Sequence, residues 1–559
     1  MPVGDHSAEL AEAMRHFAAH QWAEAERVAG AVLTREPNNV AALHLCGAAA
    51  AQGGDRERAI ALLRRAVAAD AAARDPRLDL ARLLVLAGHP TEAAEHYESA
   101  SLTGAVDAAE WCVLSNALLQ VRAFAPAEAA ARRAVAADHF SPAAHINLGA
   151  ALHQQGRLAE AVEEYRTAVS HDRLAALAYS NLGDALSRLD DFDAARAACQ
   201  RAVELKPEQS SYWNNLSTVL FRQGEFDTAL SAARRATALD PGNAAAHANA
   251  GHVLLTLGRF DEGWAEYEWR SAAVNPAAAS APLWDGTPLD GRRILLTHEQ
   301  GFGDTIQFIR YAPLVAAREG RVVVACPPPL KELLRTSAGV EEVVAWGEPL
   351  PDVAARLPVM SLPHRFGTTL ESMPADVPYL RVDPARVERF RPHVRRREAT
   401  LSVGLSWAGN PNHINDRRRS VPLAALAPLS EVPGVALYSL QKGPAAERDA
   451  AAAIAMGIRD LARFCADFAD TAAAVSLLDL VITIDSAPAH LAGALARPVW
   501  VLLPHVPEWR WMRERTDSPW YPTMRLFRQP REDDWDAVVA DVAAALRRAA
   551  DDRVNSAPR

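Results

Sequence analysis

Residues 142–175 read PAAHINLGAALHQQGRLAEAVEEYRTAVSHDRLA, and this stretch decides the fold of the first half of the chain. Its apolar and small residues recur at helical spacing in two segments with Gly156 between them, which predicts two helices joined by a tight turn. Gly149 in the first segment and Ala161 in the second are both small. Small residues there let two antiparallel helices touch, while bulky side chains fill the space beside them.

The same pattern returns at steps of 34 residues. The small position of the first helix recurs at Ala13, Gly47, Ala81, Ser115, Gly149, Gly183, Ser217 and Gly251. The small position of the second helix recurs at Ala25, Ala59, Ala93, Ala127, Ala161, Ala195, Ala229 and Gly263. A turn glycine recurs at Gly54, Gly88, Gly156, Gly224 and Gly258. The pattern predicts an array of helical hairpins.

This array resembles the tetratricopeptide repeat, with about eight repeats over residues 1–274. The resemblance implies an α-solenoid whose concave face binds a peptide or protein. A spacer or an oligomerisation module is the alternative. A linker is predicted at 275–291. Four aromatic residues near it, Trp264, Tyr267, Trp269 and Trp284, are expected either to dock the repeats onto the next domain or to cap the last repeat.

Composition narrows the class of protein. The 559 residues are 50% hydrophobic and carry a net charge of −10, which argues against general binding to nucleic acid. The sequence has no apolar run of membrane-spanning length and no visible secretory signal, and its five cysteines form no CxxC pair. We expect a cytoplasmic protein without a transmembrane segment or a zinc site.

From residue 292 onward, short apolar segments alternate with amphipathic ones. Segments such as RRILLTHE, RVVVACP and LVITID predict strands, and the stretches between them predict helices. This order is typical of parallel sheets covered by helices. We predict two Rossmann-like doubly wound domains, at 292–395 and 400–550, that face each other across a cleft. Ligands of such sheets bind outside the carboxyl ends of the strands.

The first polar strand end is THEQGFGDTIQF, residues 297–308. Gly301 and Gly303 permit a tight turn and a close approach of a ligand, and Gln300 lies beside them. Asp304 begins the following helix, so it is either an N-terminal cap or a general base. The stretch lacks the third glycine of a dinucleotide fingerprint, which argues against NAD.

Three further strands end in polar residues, and together they predict a site for a phosphorylated nucleotide. Arginine forks and helix N-termini both bind phosphate without a metal. For Asp485 and His490, a cap and a core histidine are the alternatives. In the segment 406–423 the candidate residues are Ser406, Asn410, Arg419 and Ser420. In the segment 438–443 they are Gln441 and Lys442. In the segment 480–504 they are Asp485, Ser486, Ala487, His490 and Leu491.

Three motifs carry a second resemblance: GD at 303–304, RSVP at 419–422 and DSAPAHLAGAL at 485–495. They resemble glycosyltransferase family 9, the bacterial heptosyltransferases, over about residues 290–550. That family implies a GT-B fold, a nucleotide-diphosphate sugar as donor, inversion at the anomeric centre and no catalytic metal. Joined to the repeats, the whole chain also resembles the layout of O-linked N-acetylglucosamine transferase and its bacterial relatives.

The resemblance assigns roles to residues of this chain. It implies that Asp304 is the general base, that Arg419 stands where the family has a phosphate-binding lysine, and that 485–491 contacts the donor. Ala487 departs from the family, which has a glycine at that position. Trp509 is expected either to wall the cleft on the acceptor side, together with Gln300, Gly301 and Gly303, or only to pack.

The resemblance therefore implies a metal-independent, inverting glycosyltransferase of hexosyl or heptosyl type. It would move a sugar from a nucleotide-diphosphate sugar to a protein or glycan recruited by the repeats, and it would need no cofactor. The first alternative is an inactive repeat scaffold that binds protein partners. The second is a sugar-nucleotide hydrolase or epimerase on the same fold. The donor, the acceptor and the oligomeric state are not predicted.

Overall fold

The computed structural model describes residues 6–102, 105–270, 281–394, 400–413 and 415–555. The chain divides into two compact units, Met1–Val219 and Leu220–Arg559. The division falls inside the repeat region, so the last repeats belong to the same unit as the two sheets. Of the described helices, none is both long and apolar enough to cross a lipid bilayer.

Sixteen helices lie in the described part of the repeat region, residues 6–102 and 105–270. They are α1 (Ser7–Ala18), α2 (Trp22–Arg35), α3 (Val40–Gln52), α4 (Arg56–Ala69), α5 (Arg74–Leu86), α6 (Pro90–Ser101), α7 (Ala108–Gln120), α8 (Phe124–Ala137), α9 (Pro142–Gln154), α10 (Leu158–His171), α11 (Ala176–Arg188), α12 (Phe192–Leu205), α13 (Ser210–Arg222), α14 (Phe226–Leu239), α15 (Ala244–Thr256) and α16 (Phe260–Tyr267). The predicted pairing is confirmed: each repeat has two helices joined by a short turn. The helices have 12 to 14 residues except α16, which has eight.

The small positions predicted from the repeat are where the paired helices touch. Ala25, Ala59 and Ala161 have no exposed surface. A methyl group added at Gly183 would lie 2.3 Å from the sulfur of Cys199 and 3.1 Å from the carbonyl oxygen of Ala195. The close contact between backbones therefore excludes any larger side chain.

The turn between the paired helices requires a left-handed residue. Gly156 holds φ at 79°, and Gly54 holds it at 91°. At the same position of other repeats, Arg122 and Asp190 adopt φ of 60° and 65° without being glycine. A non-glycine residue in this region costs about 1 kcal/mol or more. The conformation is therefore imposed by the packing of the flanking helices.

We predict that Gly183→Ala destabilises the first unit by about 1–3 kcal/mol, because the new methyl group meets backbone atoms that cannot move independently. Gly30→Ala is the matched control, since Gly30 lies within α2 and has nothing within 4 Å of its added methyl group. The control should gain up to about 1 kcal/mol from helix propensity. Urea unfolding of both variants checks this. Equal effects would contradict the packing role.

In the rest of the second unit, the ranges 281–394, 400–413 and 415–555 contain ten strands. They are β1 (Arg293–Thr297), β2 (Arg321–Cys326), β3 (Val340–Ala345), β4 (Ala355–Pro358), β5 (Leu401–Ser406), β6 (Val435–Ser439), β7 (Arg459–Asp460), β8 (Leu480–Ile484), β9 (Val499–Leu503) and β10 (Met524–Arg528). Sheet A has the order β3-β2-β1-β4, and sheet B has the order β10-β9-β8-β5-β6-β7. All pairings between these strands are parallel, as expected for an α/β fold.

Among the residues that the structure describes, twelve α-helices accompany these strands. They are α17 (Phe302–Phe308), α18 (Ala312–Ala316), α19 (Lys331–Leu334), α20 (Leu362–Arg365), α21 (Pro384–Phe390), α22 (Asp416–Arg419), α23 (Ala427–Ser430), α24 (Pro444–Arg448), α25 (Ala450–Ala455), α26 (Phe468–Ser476), α27 (Ala487–Ala494) and α28 (Trp535–Asn555). Short 3-10 helices lie at Ile309–Tyr311, Pro328–Leu330, Val359–Ser361, Arg391–His393, Leu423–Leu426, Ala462–Phe464 and Trp509–Trp511. Most helices are shorter than the sequence predicts, because prolines and 3-10 turns interrupt them.

Within this unit, the last repeat shares a core with the sheets. Trp264 is 2% exposed; its indole N–H donates to the carbonyl of Thr368 at 2.8 Å, and its ring meets that of Trp509 at 5.2 Å. Trp269 differs from the expectation, because it is 44% exposed and stacks on His247. The first part of the predicted linker lies outside the described residues, and Trp284 after it is buried.

A buried ion pair joins the end of the last repeat to the end of β1. Arg270 donates to both carboxylate oxygens of Glu299 at 2.9 and 3.0 Å and to the hydroxyl of Ser361 at 2.8 Å. The two charged side chains are only 8% and 4% exposed. Removing one partner of such a pair typically costs about 3–5 kcal/mol. The contact fixes the start of the Gln300–Asp304 segment, which follows Glu299 directly.

Candidate active site

Helices α17 and α27 pack against each other and bring two of the predicted strand ends together. Gly303 on α17 faces His490 on α27, and a methyl group added at Gly303 would lie 2.7 Å from the imidazole ring and 3.5 Å from Cα of Ala487. Gly303 itself lies inside a helix, so its lack of a side chain serves this close approach. The sequence predicted a close approach of a ligand there; in the structure the neighbour is His490.

Asp304 uses both of its carboxylate oxygens. One accepts the N–H of Gly301 at 2.7 Å, so the residue caps α17 from within its first turn. The other accepts from the guanidinium of Arg510. The side chain of Asp304 is 14% exposed, and that of Arg510 is 6% exposed. The capping role considered from the sequence is therefore present, together with an ion pair that the sequence did not indicate.

Arg510 connects several groups at this point. Its Nε donates to the side-chain oxygen of Gln307 at 2.6 Å, and its Nη1 donates to Glu508 at 2.5 Å. The guanidinium also lies 4.4 Å from the ring centre of Trp509. Burial lowers the pKa of Arg510, but Glu508 and Asp304 outweigh burial and raise that pKa above its usual range. A permanent buried cation thus faces two carboxylates.

Glu508 is a carboxylate of this site with a strongly raised pKa. Burial is the largest cause, the charge of Asp485 acts in the same direction and Arg510 opposes both, and the net result is a pKa of about 7. The side chain remains 26% exposed, so a proton can reach it from solvent. Glu508 therefore exchanges a proton near neutral pH within reach of the Asp485 segment.

The Arg419 segment and the Asp485 segment meet at the carboxyl ends of β5 and β8. Nη1 of Arg419 donates to the carbonyl of Asp485 at 3.2 Å, and its Nε lies 3.3 Å from the carboxylate of Asp416. The side-chain tips of Asp416 and Arg419 fill the space beside Gly409, where a methyl group would lie 2.2 Å from the carboxylate and 2.6 Å from the guanidinium. The Asp416–Arg419 contact therefore packs directly on the backbone of Gly409.

Asp485 and Ser486 lie at the start of α27. Ser486 is the N-cap residue, but its side chain does not cap the helix; its hydroxyl donates to the carbonyl of Ile484 at 3.3 Å. The carboxylate of Asp485 has no hydrogen-bond or ion-pair partner among the residues that the structure describes. Both residues are partly exposed. The helix start therefore keeps backbone N–H groups and a carboxylate available to a ligand.

Other predicted donor residues hold the surrounding loops. Gln441 is buried; its oxygen accepts from the N–H of Trp407 and of Ala408, and its nitrogen donates to backbone carbonyls. Ser406 donates to the same oxygen. The remaining three are Ser420, which accepts from the N–H of Gly409, Asn410, which accepts from the N–H of Asn412, and Lys442, which donates to the carbonyl of Cys465.

Three predicted site residues are buried in the core. His490 is 4% exposed, its Nδ1 lies 3.0 Å from the hydroxyl of Tyr521, and burial lowers its pKa well below the ordinary value. Leu491 has no exposed surface. Trp509 is a correction: the cleft-wall interpretation is wrong, because the ring is fully buried between Trp264 and Phe308. Its packing alternative describes the structure.

Sequence reasoning missed Arg510, Glu508 and His413. The pKa of His413 is lowered by burial and by Arg419, while Asp485, Asp416 and Asp304 oppose that change. His413 therefore lies within electrostatic range of both halves of the site. Residues 507–512, PEWRWM, contain Glu508 and Arg510, but the interpretation considered only their tryptophans, either as a cleft wall or as packing residues. The available signal was an arginine placed between two tryptophans, because a charged residue in such an apolar context needs an ionic partner.

Family comparisons identify the class of the first half. Models described as tetratricopeptide repeat match residues 10–76, 75–99, 174–242 and 220–265, and one described as TPR repeat matches 149–190. The N-terminal region of about 270 residues is therefore a tetratricopeptide-repeat solenoid. The parallel sheets that follow are consistent with an α/β fold.

Protein FlbA of Caulobacter vibrioides is 29% identical over 319 residues, which cover 51% of this chain. The chain spans about half the length of that relative, 52%. Solved structures match at low similarity. YrrB, titled a TPR protein with an unusual peptide-binding site, is 18% identical, with 33% of this chain and 95% of that one covered and a TM-score of 0.30. Part of a Cytophaga hutchinsonii TPR protein is 14% identical, with 43% of this chain and 98% of that one covered and a TM-score of 0.35. MamA from Desulfovibrio magneticus is 19% identical, with 30% of this chain and 96% of that one covered and a TM-score of 0.28.

We predict that Glu508 makes the free energy of unfolding depend on pH. Its pKa is about 7 in the folded protein, against an ordinary 4.5, so the folded form holds an extra proton between these values. Stability from this group is therefore highest below about pH 4.5 and falls as the pH rises to 7, by at most about 3 kcal/mol. Glu508→Gln should flatten the decline in melting temperature between pH 5 and 7. Glu447→Gln, an exposed control, should keep it, and an unchanged slope in both would contradict the assignment.

Proposed function

We propose that the second unit is a metal-independent glycosyltransferase that uses a nucleotide-diphosphate sugar and inverts the anomeric centre. The observation that carries the proposal is the meeting of Arg419 with the uncapped start of α27 at Asp485 and Ser486. A fork of guanidinium donors and the N-terminus of a helix converge on one point. Both favour a diphosphate.

The donor diphosphate binds between Arg419 and the backbone N–H groups at the start of α27. As the glycosidic bond to the nucleotide breaks, negative charge grows on the leaving diphosphate. The guanidinium and the helix dipole stabilise that charge, and because both are fixed before the reaction they need no reorganisation. Asp485, whose carboxylate lies beside this point, accepts hydrogen bonds from hydroxyl groups of the donor.

Asp304 takes the proton from the acceptor hydroxyl as it attacks the sugar. Its pairing with Arg510 fixes the direction of the carboxylate. Glu508, whose pKa is raised to about 7, is a second group able to take up the proton. The acceptor enters beside Gln300 and Gly301, which are exposed next to Asp304. The repeats hold the protein or glycan that carries the hydroxyl.

The second candidate function is a repeat scaffold without turnover. It is favoured by the two hydrogen bonds of Asp304, which occupy both carboxylate oxygens with Gly301 and Arg510. In that case, the tetratricopeptide repeats bind a protein partner and the sheets only bind a nucleotide or support the repeats. Nucleotide binding alone does not separate the two functions, but turnover does.

We predict that a nucleoside diphosphate raises the melting temperature of the wild type in EDTA, because ligand bound only to the folded state adds stability. A panel of adenosine, guanosine, uridine and cytidine diphosphates and their sugar esters identifies the base. Arg419→Ala should weaken binding at least about tenfold through the lost charge-assisted hydrogen bonds. Differential scanning fluorimetry and calorimetric titration measure both effects.

Arg417→Ala is the matched control, since it removes an exposed arginine of the same run and should leave nucleotide affinity within about twofold. Equal losses in the two variants would indicate a general charge effect and contradict a site at Arg419. No binding of any nucleotide by the wild type would remove the donor site altogether.

A further inference from the structure

A separate cavity of about 800 Å³ lies along the edge strand β10 of sheet B. The turn at Gln223–Gly224, the segment after β9 at His505 and one face of α28 complete its walls. Two carboxylates, Glu514 and Asp541, line it. Five arginines also line it: Arg513, Arg515, Arg525, Arg528 and Arg548. This excess of positive charge contrasts with the net charge of −10 on the whole chain.

Two buried donors in the wall have no acceptor in the described part of the chain. Gln529 is 3% exposed; its oxygen accepts the N–H of His505 at 3.1 Å, but its Nε2 has no partner among the described residues. Arg528 donates through Nη2 to the carbonyls of Trp511 and Met512 at 3.2 and 3.0 Å, while its buried Nη1 has no partner there. Unpaired buried donors cost free energy, so each calls for an acceptor.

The guanidinium groups are only partly neutralised. Arg515 pairs with Asp517 at 2.6 Å. Arg513 pairs with Glu514 at 3.2 Å and with Asp227 at 3.7 Å. Across the described ranges, no carboxylate lies within salt-bridge distance of Arg525 or Arg548. Burial lowers the pKa of Arg528 to about 10, which agrees with a desolvated cation that has no anionic partner.

We propose that this cavity binds a small phosphate-bearing anion, such as a phosphate or diphosphate ester. A phosphate group offers several oxygens and up to two charges, and therefore suits converging arginine forks and an amide N–H. A carboxylate offers only two acceptor oxygens and one negative charge, so it would leave more of the cavity's donor groups without an acceptor than a phosphate would. The cavity lies at β9 and β10, whereas Arg419 and Asp485 lie at β5 and β8. The inference is therefore independent of the proposed transferase activity.

Calorimetric titration of the full chain with inorganic pyrophosphate tests this site. The variants are Arg525→Glu and Arg548→Glu, whose side chains are exposed and outside the proposed catalytic groups. Each should weaken binding at least about tenfold, because it replaces an attractive charge with a repulsive one. Arg547→Glu is the matched control on the same helix, outside the cavity lining, and should change affinity less than about twofold. Melting temperatures without ligand confirm that every variant folds.

Two further titrations complete the experiment: pyrophosphate with Arg419→Ala, which separates the cavity from the donor site, and a hexaglutamate peptide with the wild type, which tests an acidic peptide as the ligand. Pyrophosphate binding that is lost in the two cavity variants but retained in Arg419→Ala supports the cavity as the site. Binding lost only in Arg419→Ala would place the anion at the donor site and overturn the proposal. Tighter binding of hexaglutamate than of pyrophosphate would identify an acidic peptide as the ligand. No saturable binding by the wild type, or equal binding by all variants, would also overturn it.

Discussion

The buried guanidinium of Arg510 is the interaction on which the second unit depends. It carries a charge into the core beside Trp509 and is satisfied by Gln307, Glu508 and Asp304. Leaving such a charge unpaired typically costs about 3–5 kcal/mol, comparable to much of a domain's net stability. Arg510 therefore holds Asp304, at the start of α17, and Glu508, in the turn before Trp509, in fixed positions relative to each other. The same contact that supports the fold also orients the candidate base.

Close packing at a glycine is the second constraint, and it recurs in both units. In the repeats, Gly183 lets one helix touch the next. In the α/β region, Gly303 lets α17 meet the ring of His490. In each case a larger residue in place of the glycine would push the two neighbouring helices apart. The candidate site is thus a product of packing as much as of its polar residues.

Periodic features of the sequence were sufficient to predict the repeats, since small residues every 34 positions state directly which helices touch. The longer apolar strands, such as β8, were predicted for the same reason. Short strands such as β4 and β7 have too few residues to show a pattern and were missed. The Arg510–Asp304 pair joins residues 206 positions apart, which no local pattern reveals. Trp509 was misplaced in one interpretation because a motif rich in tryptophan suits a cleft and a core equally well.

The most direct test of the transferase assignment is release of the nucleoside diphosphate from the sugar nucleotide that binds best, measured in EDTA with wild type and Asp304→Asn. A transferase should release the diphosphate with the acceptor present, and the variant should lose this turnover by at least about a hundredfold while still binding the donor. Absence of release by the wild type, or equal release by the variant, would contradict a transferase in which Asp304 is the base.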